Sequence, residues 1–172
     1  MEGSYAEFMA SRAAISVDEY LHTSFLDLDR EYRDGELVER TMPDSLHGRT
    51  QALLGAFLIV AGRTLRLWAC TETRMKLRSR VFLIPDIAVF ASPQPLLPDT
   101  PPLIAIEILS PDDRLQAVRE KLQEYHAWGV KHAWLVDPHG RRFYTCDDGL
   151  KEVATLTVPE LGLEVRPEDA FE

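Results

Sequence analysis

Two nearly unbroken apolar runs occupy the middle of the chain, LIPDIAVF over residues 83–90 and LIAIEILS over residues 103–110. Both are rich in β-branched residues and short enough to be buried strands. Around them the polar and apolar positions predict a sequence of further elements. Ser16-Val17-Asp18-Glu19 has the form of a capping box and opens a short helix reaching about Thr23. Asp34-Gly35, between two short alternating segments, predicts a hairpin turn. Asp44-Ser45 precedes a helix over about 47–63, with Leu53, Leu54, Phe57 and Leu58 on its inner side. Strands are expected near 65–71, 73–79 and 83–90, unless the first two form one bent strand. Residues 91–102 hold five prolines and read as a loop rather than a domain linker. A helix over about 113–128 follows the second apolar run, with Leu115, Val118, Leu122 and Tyr125 in a helical stripe and Gly129 at its end. A strand over 132–137 stops at Pro138, and Asp148-Gly149 centres a last hairpin between 142–146 and 151–156. The order implies an α/β (α+β) domain: one mixed central sheet flanked by helices, with an N-terminal helix and hairpin.

At 172 residues, 45% hydrophobic and 27% charged, the chain suits one domain with its own core, residues 15–172, preceded by a leader of residues 1–14 expected to be disordered. No apolar run approaches the roughly 18–20 residues that span a bilayer, and the first residues lack a signal-peptide pattern, so no membrane association and a cytoplasmic location are expected. Cys70 and Cys146 have neither metal-ligand spacing nor a partner framework. The net charge of −9 opposes non-specific nucleic-acid binding, which rests on neutralising phosphates. The charge is uneven, however. Residues 63–80 hold six basic residues and a single acid, Glu72. If residues 74–80 are extended, Arg74, Lys76, Arg78 and Arg80 share one strand face, either as a solvated face or as a stripe that follows phosphates of DNA.

The charges inside the apolar runs carry the chemistry. Asp86 and Glu107 are costly in such surroundings unless paired or bound to a cation. Two carboxylates on neighbouring strands suit Mg²⁺ or Mn²⁺, with the Ile108 carbonyl as a third oxygen. A metal-bound water and a lysine able to orient it form the apparatus for phosphodiester hydrolysis. Residue 109 shares the Glu107 face but is leucine, so the lysine must come from elsewhere. On the following helix Lys121 lies about 80° from the centre of the apolar stripe, at the border of the buried face.

Pro85-Asp86, then Ile106-Glu107-Ile108-Leu109-Ser110-Pro111, Lys121-x-x-x-Tyr125, Gly129-Val130 and Trp134-Leu135-Val136-Asp137-Pro138 together resemble the Uma-two family of bacterial endonucleases. That family belongs to the restriction-endonuclease-like superfamily with its PD-(D/E)xK motif. Glu31, Asp34-Gly35-Glu36, Pro43 and His47 extend the resemblance, which runs from about Val17 to Val158. It implies a restriction-endonuclease-like fold, Asp86 and Glu107 as metal ligands, Glu31 as an additional acid and Lys121 as a lysine migrated onto the helix. Leu109 departs from the superfamily pattern.

Each residue has a plainer reading. Asp86 alone could cap a strand after Pro85, Lys121 could pair on the surface with Glu120 or Glu124, and Glu36 and Glu39 compete with Glu31. His47 at a helix start fits a cap or surface group as well as a site. Trp68, Trp128 and Trp134 are expected to fill the core or a subunit interface. Two functions follow: a Mg²⁺-dependent DNA endonuclease, or a catalytically inactive nuclease-like fold serving as a binding or regulatory module. A homodimer would suit cleavage of two strands.

Overall fold

The computed structural model describes residues 14–26 and 29–172. The expected leader lies outside the described residues, apart from Ala14. Helix α1 (Val17–His22) is capped by the Ser16 side chain, which accepts from the Glu19 N–H. Strands β1 (Glu31–Arg33) and β2 (Glu36–Val38) form the expected hairpin, with Asp34 and Gly35 both at positive φ. That conformation is what makes glycine valuable in such a turn. Helix α2 (Ser45–Leu65) is capped by Asp44, and it turns into strand β3 (Trp68–Thr71) through Arg66 in the left-handed region.

The next segment differs from the expectation of two or three long strands in one sheet. The chain forms β4 (Met75–Arg78), β5 (Val81–Leu83) and β6 (Ile87–Phe90). Strands β4 and β5 join the hairpin in a four-stranded antiparallel sheet ordered β2-β1-β5-β4. Strands β3 and β6 belong to the main sheet, so neither β3 with β4 nor the run 83–90 is a single strand. The run breaks at Ile84-Pro85-Asp86. Pro85 has no N–H to give a ladder. The Ile84 N–H goes instead to the Glu31 carboxylate, and the Ile84 carbonyl accepts from Lys121. Asp86 therefore sits at the joint between two sheets, not inside a strand.

The main sheet continues through β7 (Ile104–Ile108), helix α3 (Leu115–Trp128), β8 (His132–Asp137), β9 (Arg142–Cys146) and β10 (Leu150–Val153). Its order is β10-β9-β8-β7-β6-β3, and it is mixed because β7 and β8 run parallel on either side of α3. The ribbon of β11 (Leu156–Val158) and β12 (Leu163–Val165), with helix α4 (Pro167–Phe171), closes one side.

Alternation along β7 decides where the chemistry lies. Ile104, Ile106 and Ile108 pack on the side of α2, against Leu54 and Leu58. Ala105 packs on the other side, with Leu122 and Tyr125 of α3. Glu107 has the parity of Ala105 and so faces α3. A smaller cluster of Tyr20, Tyr32 and Phe82 fixes α1 on the four-stranded sheet. Of the three tryptophans expected in the core or at a subunit interface, Trp134 is a core residue, Trp68 is exposed on the edge strand β3 and Trp128 is half-buried. No helix among the described residues is long and apolar enough to cross a membrane.

Candidate functional site

The ends of β6 and β7, the face of α3, the first hairpin and the start of α2 meet around a polar cleft of about 820 Å³. Glu31, Asp86, Glu107, Ile108 and Lys121 all line it. The three carboxylates are buried, Glu107 at 7% exposure. Lys121 Nζ lies 2.9 Å from Glu107 Oε2 and 2.6 Å from Glu31 Oε1, and donates to the Ile84 carbonyl at 2.9 Å. The surface pairings with Glu120 or Glu124 do not form. Glu124 pairs with Arg33, and Glu120 accepts from Gln116. The Tyr125 hydroxyl, one turn beyond Lys121, donates to Glu107 Oε1 at 2.9 Å.

Asp86 is held by different groups. Its Oδ2 accepts the Ile108 N–H at 2.6 Å, and its Oδ1 accepts from Arg40 at 3.0 Å. His47 Nε2 is 3.5 Å from the same Oδ1, while His47 Nδ1 lies 3.0 Å from the Ser110 hydroxyl. Ile108 thus enters the site through its backbone N–H. His47 is neither a surface group nor a cap: the backbone N–H of His47 is capped by Asp44, and its ring is buried between Asp86 and Ser110.

The protonation pattern follows from burial and these partners. Burial alone would lower the Lys121 pKa, but Glu107 and Glu31 outweigh it and raise it, so the amine stays charged. Burial pushes the Glu107 carboxyl up to about 8, against the pull of Lys121. Asp86 also suffers burial, yet the hydrogen bond and charge of His47 and the charge of Lys121 hold it below the usual carboxylate range. Burial lowers His47, and Asp86 more than restores it, leaving the ring above its ordinary value.

Whether these residues suit a divalent ion turns on donors and arrangement. Two carboxylates at the joint and the strand end offer hard oxygen donors of the kind Mg²⁺ takes while keeping several waters. Lys121 already faces Glu31 and Glu107, and Arg40 and His47 face Asp86, so an ion there would share these carboxylates with resident cations. The carboxylates do not make an all-protein cage. Among the described residues no group of three or more His, Cys, Asp or Glu is arranged to hold a metal ion. The donor set therefore fits an ion that relies on water and substrate for most of its shell.

The basic stripe is not brought to this cleft. A register shift between Lys76 and Arg78 interrupts the alternation it needs. Arg74 lies over the Tyr20 ring and pairs with Asp29, and Arg80 pairs with Asp34. The arginines that line the cleft are Arg33, Arg40 and Arg114. Arg40 is the residue that sequence reasoning missed. Nothing in its surroundings marks it, because it lies in the irregular connection between β2 and α2.

Comparison with known proteins is consistent with this geometry. The family model Uma2, described as "Putative restriction endonuclease", matches residues 17–172. A crystal structure of "a putative nuclease belonging to DUF820" from Anabaena variabilis ATCC 29413 has the same fold, with a TM-score of 0.80. Its sequence is 23% identical, and the match covers 91% of this chain and 97% of that one. No curated protein matches the chain.

Proposed function

The chain belongs to the Uma2 family and has a restriction-endonuclease-like fold, and from that premise we propose that the cleft is the phosphodiester site of a Mg²⁺- or Mn²⁺-dependent DNA endonuclease. The observation that carries the reading is the lysine. Lys121 crosses from α3 to Glu107 and stands charged in the cleft, although residue 109 is leucine. Asp86, Glu107 and the Ile108 carbonyl are the oxygens that would hold the ion. Such an ion supplies an activated water and neutralises the phosphate as charge develops.

The remaining roles belong to the chain's own residues. Charged Lys121 orients water and stabilises developing negative charge rather than acting as a free base. Glu31 positions Lys121, and Tyr125 fixes the second oxygen of Glu107. His47 of α2 lies against Asp86, and Ser110 holds the other nitrogen of its ring. Ten Asp and Glu residues line the cleft against four Arg and Lys, so a phosphate approaches favourably only once a cation is present.

A second reading, a catalytically inactive nuclease-like fold acting as a binding or regulatory module, is favoured by a different observation. Every oxygen of Asp86 and Glu107 already has a protein partner, and no three-residue metal cluster is formed among the described residues. The arrangement by itself suits this second reading better. The charged lysine at Glu107 supports the first. Incubation of supercoiled plasmid and single-stranded DNA with Mg²⁺ or Mn²⁺, beside a Glu107→Ala variant, separates them. Cleavage that the variant loses supports the endonuclease. Metal-dependent DNA binding without cleavage by the wild type supports the module.

A further inference from the structure

Arg40 spans two carboxylates. One guanidinium nitrogen is 3.0 Å from Asp86 Oδ1, and the other bonds Glu72 Oε2. The two acids are held in register by backbone and side chain. The Glu72 N–H donates to the Asp86 carbonyl at 3.2 Å, and Gln51 Nε2 donates both to that carbonyl and to Glu72 Oε1. Arg40 itself extends from residues 39–44, which have no regular structure, and its side chain lines the cleft. A fixed pair of carboxylates is thus bridged by a cation carried on an irregular connection.

Resting on the metal-dependent reading above, we infer that Arg40 is a resident counter-ion of the Asp86 side of the cleft, and that it sets the affinity of the site for a divalent cation by competing for the same carboxylate. A guanidinium fork matches carboxylates well, so exchange requires breaking the charge-assisted hydrogen bond to Asp86 while Glu72 holds the other nitrogen. The site available to a divalent ion is then only the fraction of molecules in which Arg40 has let go of Asp86. Apparent affinity falls by that fraction. Glu72, whose carboxylate bonds Arg40 and whose backbone N–H holds the Asp86 carbonyl, acts as the anchor that keeps the counter-ion in place.

The test is Mn²⁺ binding, followed by calorimetry and by the electron paramagnetic resonance of free Mn²⁺, on the wild type and on Arg40→Gln, Glu72→Gln and Asp86→Asn. Arg40→Gln is expected to bind Mn²⁺ about ten- to a hundredfold more tightly, for an open fraction of roughly 1–10%. Glu72→Gln should move in the same direction by less, and Asp86→Asn should lose the site. Because Arg40→Gln could disturb folding, a second measurement uses the unaltered chain. The Arg40 Nε–Hε resonance should shift as Mg²⁺ is added. Equal affinity in wild type and Arg40→Gln, with loss in Asp86→Asn and a stationary Arg40 resonance, overturns the counter-ion role while leaving the metal site standing. Absence of Mn²⁺ binding in all four proteins overturns the metal-dependent reading and this inference with it.

Discussion

Lys121 reaches Glu107 across the gap between α3 and β7, with Nζ 2.9 Å from Oε2, and the same amine closes on Glu31 from the first hairpin. One cation therefore serves two buried carboxylates from different parts of the chain. Removing one partner of a buried ion pair leaves uncompensated charge, at a cost of about 3–5 kcal/mol. Lys121→Met should lose stability of that order in urea unfolding at pH 8. The loss should shrink at pH 5, where the carboxylates can take up protons. A deficit below about 1 kcal/mol at pH 8 would show that the pair is solvated. For the same reason this variant is a poor probe of catalysis unless its folding is measured alongside.

Glu107 makes the fold itself pH-dependent. Its carboxyl is raised from an ordinary 4.5 to about 8 by burial. Between those values the folded chain holds a proton that the unfolded chain has released. Stability from this group is thus fully present below about pH 4.5 and is lost as pH rises through 8, with a slope of up to about 1.4 kcal/mol per pH unit for one proton. Glu107→Gln retains a partner for Tyr125 and for Lys121 but cannot titrate. Relative to wild type, the variant should gain stability steadily from pH 4.5 to 8 and no further above it. Parallel stability profiles for the two proteins would contradict the assignment.

The pattern of charges in apolar runs made Asp86 and Glu107 legible, and helical spacing put Lys121 at the edge of a buried face. Local signals also gave the Asp34-Gly35 hairpin, the Ser16 cap and the strand ending at Pro138. What sequence could not show depends on tertiary placement. The run 83–90 is apolar throughout because both of its halves are buried, yet the halves lie in different sheets. Pro85 marked the joint, but its meaning depends on Glu31 and Lys121 serving Ile84. Arg40 and His47 meet Asp86 only because the irregular connection and the start of α2 fold over the sheet ends. The basic residues near 74–80 alternate in sequence, but a register shift between Lys76 and Arg78 and the turn at Arg80 interrupt the single face that alternation implies.

The junction between α2 and β3, at the end of α2 away from the cleft, offers a test of packing. A Cβ on Gly62 would lie 2.9 Å from the Leu67 carbonyl oxygen, whose own N–H bonds the Gly62 carbonyl at 2.9 Å. Gly48, in the first turn of the same helix, has open space around it. Helix propensity favours alanine over glycine by about 1 kcal/mol at either position. Gly48→Ala should therefore raise stability by roughly 0.5–1 kcal/mol, whereas Gly62→Ala should lower it by about 1–3 kcal/mol. Thermal unfolding of the two variants checks the contrast, and stabilisation by both would mean that the chain at Leu67 yields easily.

The last prediction concerns the face that meets nucleic acid. Arg114 is exposed at the start of α3 and lines the cleft, whereas Lys76 and Arg78 lie on β4 and line no part of it. If phosphates approach the cleft, only cations around it should contribute to the counterions released on binding. Arg114→Glu should weaken DNA binding in Mn²⁺ and reduce the slope of log affinity against log salt by about 1. The double variant Lys76→Glu, Arg78→Glu should leave that slope unchanged, despite the larger change in net charge. Fluorescence anisotropy of a labelled duplex across a salt series measures both. The reverse outcome, a slope insensitive to Arg114 and reduced in the double variant, would move the binding face from the cleft to the β4 side of the four-stranded sheet.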